Sequence, residues 1–168
     1  QEPDREITKR LYEDLCIHAE RASMRACLEY MAITEVKTLD DALDVVNTVD
    51  HPAGGILVDT FHHERVGQDP EKIREIPARW LSYAQLCDMP ECGVVTDPDA
   101  YYIDAIDGRL APGEGSVPVA AMAKALPANF PISLEIRSLH YRETYRNPLE
   151  RARAILAQTQ AFFAEHGL

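Results

Sequence analysis

The chain has 168 residues and carries 28 acidic and 17 basic side chains, for a formal net charge of −11. Its length fits a single domain over residues 1–168, and 46% hydrophobic with 27% charged residues is ordinary for a globular protein. An acidic chain without a basic stripe repels phosphates, which argues against a nucleic-acid partner. Its apolar runs are too short to cross a bilayer, which argues against a membrane partner.

The four cysteines predict free, mostly buried thiols. Cys87 and Cys92 are five residues apart, whereas a zinc knuckle needs a CxxC pair and a second pair to match it. So few cysteines in a chain of this size do not form a disulfide framework. The first residues also lack the basic patch and apolar stretch of a signal peptide. We therefore expect a reducing, cytoplasmic location.

Strand and helix patterns alternate along the chain. The predicted strands cover residues 25–31, 56–61, 81–87 and 131–136. The predicted helices cover residues 2–21, a segment from the cap Thr38 to the break at His51, and residues 69–76, 117–126 and 147–165, with an irregular stretch at 90–115. Strands separated by single helices run parallel with right-handed crossovers. The fold class is therefore α/β, built from parallel β/α units.

Each predicted strand carries one polar side chain near its carboxyl end. These residues are Glu29, Asp59, Gln85 and Glu135. A buried carboxylate is unfavourable unless it is paired, hydrogen-bonded or bound to a cation, so the repetition in four successive strands is a pattern. Because the carboxyl ends of parallel strands open on one face, we expect the four side chains to converge there.

Three carboxylates and one amide make an all-oxygen set of ligands. Such a set suits a hard divalent cation, so we expect Mn²⁺, Mg²⁺ or Co²⁺, and zinc is less favoured because the set holds no histidine or cysteine. An alternative without a metal stays open, in which the acids pair with Arg25, Arg109 or Arg137.

Several short motifs follow one another in a distinctive order. They are Leu28-Glu29, Val58-Asp59-Thr60-Phe61-His62 with Arg65, Gln85-Leu86-Cys87-Asp88, Arg109-Leu-Ala-Pro-Gly-Glu-Gly115 and Leu134-Glu135. With these motifs, nearly the whole chain resembles the C-terminal half of the xylose isomerase-like TIM-barrel superfamily. That superfamily includes sugar isomerases and epimerases, inosose dehydratase and one group of 3-dehydroshikimate dehydratases.

The resemblance implies a role for each polar residue of the strands. Glu29, Asp59, Gln85 and Glu135 correspond to four metal ligands, and Glu29 and Glu135 would also flank the substrate as the catalytic groups. Many relatives carry histidine where Gln85 stands, and glutamine is found there in some dehydratase-like members. The glutamine therefore tilts the expectation slightly towards a dehydratase.

The resemblance also implies substrate contacts beside the metal. His62 and Arg109 correspond to residues that hold substrate oxygens. Arg65 is either a contact to a substrate anion or a surface ion-pair partner of Glu64 or Asp69, and His63 is expected to be a solvated loop residue.

Two further features have alternative interpretations. Asp88 either orients a metal-ligating side chain without touching the metal itself, or caps the loop that follows it. The pair Tyr101-Tyr102 either covers a polyol ring or packs, and packing is favoured. The glycines at 113 and 115 indicate a turn rather than a phosphate-binding loop.

A complete TIM barrel needs eight strands and about 250 residues. Only four strands are predicted here, and the resemblance matches them to strands five to eight. A half-barrel leaves two edge strands bare. Three explanations stay open besides the small-molecule substrate as partner: the chain is a fragment of a longer protein, which we favour, half-barrels associate as a homo-oligomer, or a partner chain supplies the missing N-terminal half-barrel.

The expected function is that of a divalent-metal-dependent isomerase, epimerase or dehydratase. Its substrate would be a small sugar, polyol ketone or hydroxy-carbonyl compound, in carbohydrate metabolism, and the reaction would pass through an enediolate-like intermediate. The alternative is a non-catalytic half-barrel for binding or assembly, with a degenerate metal site. A DNA-repair nuclease on the same barrel is disfavoured, because it would need several histidine ligands and a basic face.

Overall fold

The computed structural model describes residues 4–168. Its strands span Ala26–Glu29, Gly54–Asp59, Leu81–Leu86 and Ile132–Leu134, and we number them β1–β4. Its α-helices span Arg5–Arg21, Leu39–Val49, Thr60–Arg65, Pro98–Asp107, Val119–Ala125, Leu139–Thr144 and Pro148–His166, and we number them α1–α7. Two 3₁₀-helices span Pro70–Glu75 and Ala78–Trp80.

The four strands form one parallel sheet in the order β1-β2-β3-β4. This confirms the α/β class and the parallel β/α units that the sequence predicts. Strands β1, β3 and β4 are shorter than their predicted ranges, and β2 has the predicted length but lies two residues earlier. The N-terminal helix starts at Arg5 in the described part, while its predicted beginning at residues 2–3 lies outside the described residues.

Helix ends follow the side chains that cap them. Thr38 accepts a hydrogen bond from the Asp41 amide, and Asp41 accepts one from the Thr38 amide, so a capping box starts α2. Asn147 caps α7 at Pro148, and Gly167 ends it in the left-handed conformation that glycine favours.

The structure adds helices that the sequence prediction lacks. The stretch predicted to be irregular at 90–115 contains α4, which starts with an Asp97 cap and Pro98 at its first turn. α3 begins directly after β2, and the predicted helix at 69–76 is a 3₁₀-helix. These differences matter because α3 and α4 both contribute to the site described below.

The two faces of the sheet differ in polarity. Ile56, Val58, Ala84 and Leu86 are buried in the hydrophobic core together with side chains of α1 and α2. Because side chains alternate along a strand, the opposite face carries the polar positions. The register places Asp59 beside Gln85, and Glu29 beside Leu57, two residues before Asp59.

The cysteine and membrane expectations can be compared with the described residues. All four cysteines are free, with Cys16 and Cys87 buried, Cys27 partly buried and Cys92 exposed. No helix within residues 4–168 combines the length and the apolar character that a bilayer crossing requires.

Candidate active site

Asp59 occupies the junction between β2 and α3. Its carboxylate is fully buried and accepts a hydrogen bond of 2.7 Å from the Phe61 amide, which starts the helix. Because Asp59 caps α3, the first turn of this helix starts at the carboxyl end of β2. His62, in that turn, therefore lies at the same end of the sheet as Asp59.

Arg109 connects two of the acids that the sequence singled out. Its Nη1 atom lies 2.7 Å from Asp59 Oδ2 and 3.0 Å from Glu135 Oε2, and its Nε donates to the Ala105 carbonyl. Arg109 itself is only 2% exposed. The arginine pairing considered as an alternative is therefore present for these two acids. Arg25, in contrast, donates to the carbonyl oxygens of Gly54 and Arg79.

Glu29 faces His62 across the mouth of the site. Glu29 Oε1 lies 3.7 Å from His62 Nε2, and this buried oxygen has no hydrogen-bond partner among the described residues. On the other side of the imidazole, His62 Nδ1 lies 2.5 Å from the Tyr101 hydroxyl, and the two rings are stacked. A buried carboxylate oxygen without a donor is unfavourable, so this position is suited to a cation.

Glu29, Asp59 and His62 together could hold a metal ion. Each offers one ligand atom, and the three atoms lie within 4.8 Å of one another. The donor set and the unpartnered Glu29 oxygen both fit a divalent cation. Because His62 adds a nitrogen donor, the reason given for disfavouring zinc no longer holds.

The structure brings most of the predicted site residues to one place, but their contacts differ from those expected of four residues around one ion. Glu135 meets Asp59 through Arg109, and Gln85 lies beside Asp59 in the sheet register. His62, expected as a substrate contact, lies 3.7 Å from Glu29 and could also hold a metal ion with Glu29 and Asp59.

Burial controls the protonation of the site. Burial, with help from the charges of Asp59 and Glu135, raises the pKa of Glu29 to about 7. Burial and the charge of Arg109 lower the pKa of His62 to about 3, so its contact with Glu29 involves a neutral imidazole. Burial also raises the pKa of Glu135, against the opposing effect of Arg109.

A cavity of about 220 Å³ opens between these groups. Three larger cavities, of about 550, 520 and 360 Å³, are not lined by Glu29, Asp59 or Glu135. We assign the smaller cavity as the candidate active site, because Glu29, His62 and Glu135, whose pKa values are perturbed, line it. Its polar lining consists of Glu29, His62, Tyr101, Tyr102, Arg109, Glu135 and Arg137.

Arg65 lies outside this cavity. Its buried guanidinium donates to the carbonyl oxygens of Glu91 and Gly93 and pairs with Asp104 Oδ2 at 2.8 Å. Both of its terminal nitrogens are therefore used to hold the chain that leads into α4. The expected ion pair with Glu64 or Asp69 is replaced by the one with Asp104.

The expectation of a solvated His63 is wrong. His63 is fully buried, its Nδ1 lies 2.8 Å from the Tyr30 hydroxyl, and its Nε2 lies 3.0 Å from the Asp69 carbonyl. Packing was the favoured expectation for Tyr101, and the side chain is buried, but its hydroxyl also reaches His62 Nδ1. The Asp97-Pro98 start of α4 was the signal that a helix would carry this tyrosine to the site.

The family model described as xylose isomerase-like TIM barrel matches residues 2–164. The chain belongs to the xylose isomerase-like TIM-barrel family. This confirms the resemblance to the superfamily that the sequence motifs indicated.

Curated members of this family with similar sequences are enzymes. A 3-dehydroshikimate dehydratase of Pseudomonas putida is 30% identical over 156 residues, which cover 87% of this chain and 24% of the dehydratase. An inosose isomerase of Bacillus subtilis is 24% identical over 143 residues, which cover 80% of this chain and 48% of the isomerase. The chain thus spans about a quarter to a half of these relatives.

Solved structures of xylose isomerase-like barrels share the fold. The IolI protein, solved with a bound zinc atom, matches 99% of this chain and 58% of its own with a TM-score of 0.75 at 19% identity. The D-psicose 3-epimerase of Clostridium cellulolyticum matches 95% of this chain and 56% of its own with a TM-score of 0.67 at 18% identity. At these identities the likeness establishes the fold.

The opposite pKa shifts of Glu29 and His62 predict opposite effects on stability in metal-free buffer. Between its usual pKa of 4.5 and its folded pKa of about 7, Glu29 keeps a proton only when folded, so its contribution to stability falls as the pH rises. His62 is protonated only when unfolded between about 3 and 6.5, so its contribution rises with pH. The two contributions offset each other where the intervals overlap.

Single variants should separate the two contributions. As the pH rises from about 4.5 to 7, the free energy of unfolding of Glu29→Gln should increase relative to that of the parent. As the pH rises from about 3 to 6.5, the free energy of unfolding of His62→Asn should decrease relative to that of the parent. Urea unfolding at stepped pH values measures both. Parallel curves for the parent and both variants would contradict the two pKa shifts.

Proposed function

We propose that this protein is a divalent-metal-dependent lyase of the dehydratase kind that acts on a small hydroxy-carbonyl compound. The observation that carries the proposal is the buried, unpartnered Oε1 of Glu29 beside Asp59 and His62. A metal ion would satisfy this oxygen, and Asp59 and His62 would hold the ion with Glu29. Gln85 would add an amide oxygen from the neighbouring strand, and Glu135 would lie beside the ion as a proton donor.

Two observations support dehydration over isomerisation. The P. putida dehydratase is 30% identical over 87% of this chain, compared with 24% over 80% for the B. subtilis isomerase. By resemblance, Gln85 also stands at the position where some dehydratase-like members of the superfamily carry glutamine. Isomerisation or epimerisation is the second candidate, because the same pair of carboxyl groups could remove and return a proton.

The residues of the chain can perform the proton transfers. When bound, the divalent cation polarises a carbonyl group and makes the neighbouring C–H bond more acidic. Glu29, which would lie beside that bond, can accept the proton. The C–O bond to the β-hydroxyl then breaks as the carbon–carbon double bond forms. Glu135 in its protonated form supplies the proton with which the hydroxyl leaves as water.

Arg109 and Tyr101 prepare the site for this exchange. Arg109 stays charged beside Glu135 and Asp59 and can stabilise the enediolate-like charge that develops on the substrate. The Tyr101 hydroxyl at His62 Nδ1 orients the imidazole, so that its Nε2 faces Glu29.

We further propose that four more β/α units complete the barrel. Parallel sheets are normally covered on both faces, yet the face that carries Glu29, Gln85 and Glu135 remains partly exposed. The outer side chains Ile7, Leu11 and Leu15 of α1 are also exposed and form a stripe at helical spacing. Light scattering of the chain should therefore report self-association, or binding of a separately supplied N-terminal half.

Metal binding and turnover test the proposal together. Purified protein stripped with a chelator should bind one Mn²⁺ in calorimetry, and Mn²⁺ at about 100 times Kd should raise the free energy of unfolding by about 2.7 kcal/mol. The loaded protein should convert the probe 3-dehydroshikimate to a product that has lost water, detected by mass spectrometry. Conversion of the probe inosose to an isomer, with no loss of water, would instead favour isomerisation or epimerisation.

A non-catalytic binding module is the remaining alternative. The pairing of Arg109 with Asp59 and Glu135 favours it, because both acids are compensated without a metal. Elemental analysis of gently purified protein separates the two. One equivalent of a divalent metal supports the enzyme, and metal-free protein that binds no Mn²⁺ supports the module.

A further inference from the structure

Asp88 is a buried aspartate whose carboxylate organises a loop. It follows β3, is 1% exposed, and accepts four main-chain hydrogen bonds. The amides of Met89 and Val117 donate to Oδ1 at 2.8 and 2.9 Å, and those of Gly113 and Gly115 donate to Oδ2 at 3.1 and 3.0 Å. The chain from 113 to 117 is therefore wrapped around this one side chain.

The backbone of Asp88 holds the start of the same segment. The Asp88 amide donates to the Leu110 carbonyl, and the Leu110 amide donates to the Asp88 carbonyl, both at 2.8 Å. Leu110 directly follows Arg109, whose own amide donates to the Arg137 carbonyl at 3.1 Å. We call residues 109–117 the Arg109 segment. Asp88 binds it at both ends, through its backbone at 110 and its carboxylate at 113–117.

The glycines of the Arg109 segment are explained by this contact. A Cβ atom on Gly115 would lie 2.0 Å from the Met89 carbonyl oxygen and 2.5 Å from Asp88 Oδ1. Gly113 has a φ of +87°, which other residues rarely adopt. The segment therefore needs glycine at both positions to bring its amides to Asp88.

We propose that Asp88 is a positioning residue for Arg109. None of its four carboxylate contacts is to a residue that lines the active-site cavity. It acts instead by fixing the segment from which the Arg109 guanidinium reaches Asp59 and Glu135. The positioning of Arg109 by Asp88 does not depend on the proposed function. Only the role of Arg109 in stabilising charge on the substrate rests on it.

The test observes Arg109 directly. Its buried Nε–H, which donates to the Ala105 carbonyl, should exchange slowly with solvent and be visible by nitrogen-15 NMR. In Asp88→Asn an amide nitrogen replaces one carboxylate oxygen, so two of the four main-chain amides lose their acceptor, either those of Gly113 and Gly115 or those of Met89 and Val117. We expect exchange at Arg109 Nε and at the two amides that lose their acceptor to accelerate at least tenfold. Asp88→Ser, which leaves room for water, serves as the second variant.

A control separates positioning from a general loss of stability. Val46 is buried in α2, which contributes no residue to the cavity or to the Arg109 segment, and Val46→Ala should lower stability while leaving exchange at Arg109 Nε at the parent rate. Faster exchange at the two main-chain amides but not at Arg109 would overturn the proposal, as would equal acceleration in Val46→Ala. Mn²⁺ binding is measured on the same samples. Failure of the parent to bind Mn²⁺ would count against the proposed function, while the NMR result would still decide the role of Asp88.

Discussion

Glu135→Gln is expected to lower turnover by about 10²–10⁴-fold, the usual contribution of a general acid or base. The amide oxygen of glutamine can still accept from Arg109 Nη1, which lies 3.0 Å from the present carboxylate, so the fold should persist. What the variant loses is the proton that we propose Glu135 supplies to the leaving hydroxyl. Steady-state kinetics on the metal-loaded protein, with circular dichroism as the folding check, measures the effect.

A matched control is available on α7. Glu150 is an exposed glutamate in the first turn of that helix, and Glu150→Gln should leave turnover within about twofold of the parent. Parent-like turnover in Glu135→Gln would remove Glu135 from the mechanism. A loss of activity that is fully reversed by excess Mn²⁺ would instead assign Glu135 to metal binding alone.

The sequence predicted the acids of the site because strand periodicity is a local property. Asp59 ends the most regular strand of the chain, and Glu29, Gln85 and Glu135 recur at the ends of the other three predicted strands. Parallel pairing then places such residues at one end of a sheet whatever the details of the loops. The cap of Asp59 on α3 is the part of this arrangement that short-range rules could also have predicted.

The contacts of the arginines depend on tertiary structure. Arg109 reaches Asp59 from 50 residues further along the chain, through a segment that Asp88 folds. Arg65 lies close to the site in sequence, yet its guanidinium turns to Asp104 in a helix that the sequence prediction lacked. Residue type and spacing predicted that cations would be near the acids but could not determine which cation meets which acid.

Arg109→Met is expected to lower the free energy of unfolding of the metal-free protein by about 3–5 kcal/mol. The substitution keeps an unbranched side chain of similar length and leaves Asp59, which is fully buried, without its charged partner. Removing one member of a buried ion pair costs about this much because the remaining charge stays desolvated. Arg74→Met breaks an exposed pair with Glu71 and should cost less than about 1 kcal/mol.

The same variant should respond more strongly to metal than the parent does. Arg109 carries the positive charge nearest to Asp59 and Glu135, so in the parent an incoming dication meets carboxylates that are already paired. Without the guanidinium, Mn²⁺ becomes the partner that neutralises the buried Asp59 and the partly exposed Glu135, and its affinity should rise at least tenfold. Thermal unfolding with and without Mn²⁺, on the parent and on Arg109→Met, gives both quantities. An equal Mn²⁺-induced rise in Tm in the two proteins would mean that the ion does not share Asp59 and Glu135 with Arg109, and the proposed metal site would then have to be centred on Glu29 and His62 alone.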